Sequence, residues 1–321
     1  AYVTSAGRVF CIHSTQHGAV KPWNMSLGPD TSEPWALLAR DAFSGVLLWQ
    51  RPLKSWGGGG PKKTGPADIG RRLVAVSERV YVTLGHDQPL SILDAATGRT
   101  KVEVADSKGT EEVIVLKDMA LLLVNPNPPA VPQIAKITRE NRGGRRIMAV
   151  HAQTGNRIWS VDDLTALNAC MTATEDHVFY HFADGMAALD RATGKEAWRQ
   201  SVSGPVNDYE KSRSGKIFFG DAAYAPKMVA HKDRLFCSFS GTIVALDATT
   251  GKKLWEQKAP MSNYRTAPDM LIKDDLIWLP GLLSRGTQAC VKLDLKTGSD
   301  LTYRPNTLSK FIAHHRCSPV H

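Results

Sequence analysis

The chain is short of several things. Its 321 residues hold 7% aromatic residues and five cysteines. No run reaches the roughly 18 uninterrupted apolar residues that a helical membrane span needs. The N-terminus lacks a basic stretch followed by an apolar core, so the sequence shows no signal peptide. Cys11, Cys170, Cys237, Cys290 and Cys317 are widely separated. They form no CxxC, no CxxCH and no adjacent pair, which argues against a zinc site or a haem attachment site. The odd number and wide spacing argue against a disulfide framework. Cys170, Cys237 and Cys290 sit in apolar runs and read as small core hydrophobes. Gly57-Gly58-Gly59-Gly60 lacks the spacing and the following helix of a phosphate-cradling loop. No stretch sustains a helical period.

What is present is charge of one sign and a repeat. Forty Lys and Arg against 31 Asp and Glu leave +9. Such a balance favours polyanionic partners, or serves solubility alone. The densest basic clusters are Arg139, Arg142, Arg145, Arg146 and, second, Lys62, Lys63, Arg71, Arg72. Neither interleaves aromatics, so a base-stacking nucleic-acid platform is not expected. An acidic polysaccharide or a protein is the expected partner.

The repeat is a turn. Asp41-Ala42-Phe43-Ser44-Gly45 returns as Asp94–Gly98, His151–Gly155, Asp190–Gly194, Asp247–Gly251 and Asp294–Gly298. The glycines stand 53, 57, 39, 57 and 47 residues apart, the range of propeller blades. Aspartate offers an oxygen to the turn backbone and glycine takes positive φ at little steric cost. Tryptophan follows four residues after the glycine in four copies: Trp49, Trp159, Trp198 and Trp255. Val102 and Thr302 stand there in the other two. A large ring at a fixed repeat position reads as packing between neighbouring blades. Two further strands precede each turn strand, for example Arg71–Ser77 and Arg79–Leu84 before Leu90–Asp94. The fold class predicted is all-β: a β-propeller of four-stranded antiparallel blades, six units and a partial seventh beginning at Phe311.

Residues Ala188–Trp198 (A-L-D-R-A-T-G-K-E-A-W) and Ala245–Trp255 (A-L-D-A-T-T-G-K-K-L-W) carry a family resemblance. The pattern resembles the PQQ-like repeat of bacterial quinoprotein and outer-membrane-assembly propellers, and it extends over essentially the whole chain. The segment Phe311–His321 resembles a stretch of large envelope proteins with such repeats. The resemblance implies a single propeller domain over residues 1–321, a fragment of a longer chain, in the periplasm or cell envelope. Its first functional implication is a non-catalytic binding or scaffold domain. The alternative is a propeller enzyme, either a polysaccharide lyase-like one or a quinone- or metal-dependent oxidoreductase.

Loops at one face or the channel usually carry a propeller's function. Four insertions stand out: Ser14–Pro34, Lys54–Gly70, Asn125–Arg145 and Ser203–Ala225. A lyase needs a general base and a group to neutralise a carboxylate. Tyr209, Tyr264, Arg265 and His315 have that chemistry and are the catalytic candidates. His13, His181 and His315 are the metal candidates, assembled across blades. His177 and His181 share one face of a predicted strand. The quinoprotein dehydrogenases hold their quinone between a tryptophan and a disulfide of adjacent cysteines, beside calcium. Lacking that cysteine pair, the chain is expected to take no cofactor. PQQ or a divalent metal belongs only to the enzymatic alternative.

Overall fold

A computed structural model describes residues 2–14, 35–54, 69–127, 144–182, 185–201, 227–239, 242–258, 270–279 and 291–302. The chain divides into two compact units, with the boundary at Ala169/Cys170.

The first unit holds three antiparallel sheets, each strand pairing with the next in sequence. Sheet one is β1 (Tyr2–Ser5), β2 (Arg8–Ser14), β3 (Trp35–Asp41) and β4 (Leu47–Pro52). Sheet two is β5 (Leu73–Val76), β6 (Arg79–Thr83), β7 (Leu90–Asp94) and β8 (Thr100–Glu103). Sheet three is β9 (Thr110–Leu116), β10 (Met119–Val124), β11 (Arg145–His151) and β12 (Arg157–Leu164). The second unit holds three more. Its sheets are β13 (Ala166–Ala173), β14 (His177–Phe182), β15 (Gly185–Asp190), β16 (Glu196–Ser201); then β17 (Lys227–His231), β18 (Arg234–Phe239), β19 (Thr242–Asp247), β20 (Lys253–Lys258); then β21 (Leu271–Lys273), β22 (Leu276–Leu279), β23 (Val291–Asp294). A bridge from Leu293 to Asp300 starts the fourth strand of the last sheet. These are propeller blades, as the repeat predicts. The partial seventh unit falls outside the described residues.

Burial explains the strand chemistry. The second and third strands are covered on both faces, so they read as continuous apolar runs; every residue of β10 is buried. The fourth strands edge their sheets and alternate with charge, as in β20 (Lys253-Leu254-Trp255-Glu256-Gln257-Lys258).

Each turn closes on its aspartate. Asp94 Oδ1 accepts from the Ala96 and Thr97 amides at 3.1 and 2.9 Å and from the Thr97 hydroxyl at 2.9 Å. The Gly98 amide donates to the Asp94 carbonyl at 2.8 Å, and Gly98 sits at φ 68°. The same donors hold the carboxyls of Asp41, Asp190, Asp247 and Asp294 below the usual carboxylate range. In the third blade His151 takes the aspartate's place: its Nδ1 accepts from the Gln153 amide at 3.2 Å.

After each turn a bulge shifts the register, at Ala39/Arg40, Ala188/Leu189 and Ala245/Leu246 among others. It sets the tryptophan across from a small residue, with an aromatic on the strand beyond. The rows are Phe10–Ala39–Trp49, Phe179–Ala188–Trp198 and Phe236–Ala245–Trp255. Alanine leaves room for the two rings, whose centroids are 5.8, 5.9 and 5.9 Å apart.

The tryptophan then joins its blade to the next. Trp49 Nε1 donates to the Ala95 carbonyl at 2.9 Å, Trp198 Nε1 to Ala248 at 2.9 Å, and Trp255 Nε1 to Leu295 at 3.3 Å. Each ring lies on the glycine of that next turn. A Cβ added at Gly98, Gly251 or Gly298 would stand 2.7, 2.6 or 2.6 Å from the ring of Trp49, Trp198 or Trp255. These tryptophans are packing elements, as their fixed place implies.

The second blade lacks the tryptophan and replaces its parts separately. Its row is Tyr81–Ile92–Val102. Val102 covers Gly155, and Ile92 fills volume where other blades have alanine. The Tyr81 hydroxyl donates to the Ala152 carbonyl at 2.9 Å, the bond an indole makes elsewhere. Burial raises the Tyr81 pKa. Tyr81→Phe should therefore cost about 1–2 kcal/mol in urea unfolding, by stripping a buried carbonyl of its donor. An unchanged midpoint would show that the hydroxyl bond adds nothing to this seam.

Candidate functional site

Strand direction sorts the connections of every blade. At one end lie the tight turns between first and second strands, such as Ser77–Glu78 and Lys232–Asp233, and the glycine turns. At the other end lie the joins between second and third strands and between blades. All the long connections are of this second kind: Ser14 to Trp35, Pro52 to Ile69, Val124 to Arg145, Ser201 to Lys227, Lys258 to Leu271 and Leu279 to Val291. The four predicted insertions thus emerge from the same end of their blades, although the insertions themselves lie outside the described residues.

In the first unit this end carries a cluster of ion pairs. Arg71 pairs with Glu112, whose side chain is 2% exposed. Arg145 Nε meets Glu111 Oε2 at 2.7 Å, and its Nη1 donates to the Ala166 carbonyl at 3.0 Å. Asn125 Nδ2 donates to Glu111 Oε1 at 3.2 Å. Arg146 pairs with Asp162. Buried Arg72 donates Nη1 to the His86 carbonyl at 2.9 Å. Buried charges persist only when paired and hydrogen-bonded, so these groups fix the strand ends from which the long connections leave.

The cluster revises two expectations. The chain over Ile69–Arg72 is a 3-10 turn, and the strand predicted from Arg71 begins at Leu73. The contacts of Arg71 and Arg72 hold that turn. The basic clusters also lose part of their free charge. Of their eight residues Arg71, Arg72, Arg145 and Arg146 are described; three are ion-paired and one is buried on a carbonyl. The partners Glu111 and Glu112 went unnoticed in the sequence. The signal was there: two adjacent carboxylates at the head of an otherwise apolar strand require cations nearby.

Tyr209, Tyr264, Arg265 and His315, the catalytic candidates, lie outside the described residues. Of the metal candidates, His13 is half-buried on β2 in the first unit, paired in register with Ala36. His181 is on β14 in the second unit and fully buried. The structure brings it to Cys237, with Nε2 3.0 Å from Sγ and Nδ1 3.4 Å from the Phe182 carbonyl. Burial pushes the His181 pKa down to about 4, so the ring is neutral at pH 7. A ring that donates from Nδ1 to backbone carbonyls is left to accept the Cys237 thiol proton at Nε2. Cys237 is free and buried, the core hydrophobe its apolar run predicts, and Cys11 is free and half-buried. Among the described residues no three His, Cys, Asp or Glu come together as metal ligands.

A quinone finds a poor fit in these residues. The family's dehydrogenases stack it on a tryptophan, but Trp49, Trp198 and Trp255 each lie on a neighbouring turn with the indole N–H bonded there. No two cysteines are adjacent.

A family model described as outer membrane protein assembly factor BamB matches residues 36–301. The BamB of Kangiella koreensis is 29% identical over 130 residues, 40% of this chain and 30% of that one. The quinohemoprotein alcohol dehydrogenase of Comamonas testosteroni is 30% identical over 122 residues, 34% of this chain and 16% of that one. The matches span less than a third of the length of either relative. The crystal structure of BamB from Moraxella catarrhalis aligns with a TM-score of 0.49 at 16% identity, covering 84% of this chain and 72% of that one.

Proposed function

The chain belongs to the PQQ-like propeller family described as outer membrane protein assembly factor BamB, and we propose that it is a non-catalytic binding propeller of the bacterial envelope. It holds protein partners at the blade ends that carry the long connections. One observation supports this most: the long connections leave from a single end of the blades, and in the first unit a saturated set of ion pairs anchors their roots. Rigid strands with long loops at one end are the arrangement of a recognition surface. A protein suits this end better than an acidic polysaccharide, because Arg71, Arg145 and Arg146 already face carboxylates.

Site-specific photo-crosslinking in envelope preparations tests the reading. A crosslinking residue at Arg146, beside the long connections, should trap discrete envelope proteins. One at Lys117, in a tight turn at the opposite end of the same blade, should trap markedly less. Equal yields, or none at Arg146, would remove the loop end as the binding surface. The quinohemoprotein relative supplies the competing reading. Dye reduction by the protein supplied with PQQ, calcium and a primary alcohol would establish that reading instead; none is expected.

A further inference from the structure

The glycine turns are sockets, and one of them stands open. Five are described with their surroundings. Gly98, Gly251 and Gly298 lie under tryptophans, and Gly155 lies under Val102. At Gly45 a Cβ would meet nothing within 4 Å, although its φ of 72° and the Asp41 hydrogen bonds match the other turns. Ala42 occupies the place of Ala95, Ala248 and Leu295, whose carbonyls take the indole N–H. The open turn is also the apolar one. Phe43 is 92% exposed, Val46 59% and Leu48 44%, while the corresponding outer strands carry Lys101, Arg157, Glu196 or Lys253. β4 is the terminal strand of its sheet. An unblunted apolar edge of this kind is what natural sheets avoid unless something covers it.

We propose that the Gly45 turn is a docking socket for an extended strand of a partner protein carrying Trp-x-Gln or Trp-x-Arg. The filled joints define that chemistry. Beyond the indole, the residue two places on completes the contact: Arg51 Nη1 donates to the Gly98 carbonyl at 2.6 Å, and Gln200 packs against Gly251. The motif occurs in this chain at Trp49–Arg51, Trp198–Gln200 and Trp255–Gln257 and nowhere else. Each of those three tryptophans already sits in a socket of its own chain. Neither a second copy nor another segment of this chain has a spare one, so the strand comes from a different protein. The socket lies at the glycine-turn end of its blade, opposite the long connections, and so marks a second surface independent of the one proposed above.

The probe is a fluorescently labelled peptide with the sequence of Gly251–Lys258, titrated into the full chain and read by anisotropy. Saturable binding is expected. It should weaken by at least roughly tenfold when the peptide's tryptophan is replaced by alanine, as for a buried anchor. It should weaken as much with the protein variant Phe43→Ser/Val46→Lys, whose circular dichroism and unfolding midpoint should match the parent because both side chains are exposed. Absence of saturable binding would overturn the proposal. So would binding indifferent to the peptide's tryptophan, or binding unchanged in the variant, which would locate the peptide elsewhere.

Discussion

Trp198→Ala should lower the unfolding free energy by about 3–5 kcal/mol, the range for deleting a buried aromatic that cannot be refilled. Trp198 is 8% exposed, stacks against Phe179, donates to the Ala248 carbonyl and covers Gly251. Its loss therefore opens a cavity and strips a carbonyl in the same place. Two glycine variants separate packing from backbone strain. Gly45→Ala and Gly251→Ala both place an L residue near φ +71°, at a common cost of about 1–2 kcal/mol. Only at Gly251 does the new methyl meet a ring at 2.6 Å. Gly251→Ala should therefore cost about 1–3 kcal/mol more than Gly45→Ala, the usual range for overpacking. Equal losses in chemical denaturation would mean that the tryptophan yields at no cost, and the seam would not be the rigid joint described.

The second large effect is a pH dependence centred on His181. The folded ring has a pKa of about 4 against 6.5 in an unfolded chain. Between these values the unfolded state binds a proton that the folded state refuses. Stability contributed by the neutral ring is fully present above pH 6.5, falls as the pH drops, and levels off below about 4. The shift corresponds to about 3 kcal/mol across that window. The turn aspartates, with lowered pKa values, lose their contribution at more acid pH and do so equally in a variant at residue 181. His181→Leu is the informative change, since Ile12, Leu123 and Leu279 fill the corresponding strand position in other blades. Urea unfolding from pH 7.5 to 4.5 should show the wild-type slope and little of it in the variant. Identical slopes would place the titration elsewhere.

Much of this was legible along the chain, because a repeat states its own local chemistry several times. Asp, Gly and Trp at fixed offsets mark the turn, the bulge and the seam before any coordinate is known. The repeat was weakest where one residue type had been exchanged for another with the same role. Val102 looked like a lost tryptophan, and the Tyr81 hydroxyl that compensates lies on a different strand. His151 looked like a lost aspartate and supplies its acceptor from a ring nitrogen.

The site was harder to read than the fold. Tyr209, Tyr264, Arg265 and His315 were chosen for chemistry alone, in segments with no repeat to constrain them. Arg71 and Arg145 were noticed as free charge, because a basic cluster on one stretch of chain does not show the carboxylate facing it from another strand. His181 was noticed for its spacing from His177, which fixes a shared face but not what that face meets.

By itself, then, the sequence determined the blade: strand order, turn conformation, the residues of the seam and the end from which long connections leave. All of these follow from contacts close along the chain or repeated at a fixed period. Only the tertiary structure decided which charges are paired, that His181 meets Cys237, and that the Gly45 socket is open while others are filled. Those depend on one blade meeting the next, across 40 to 60 residues, where the partner's identity is set by packing and no local propensity records it.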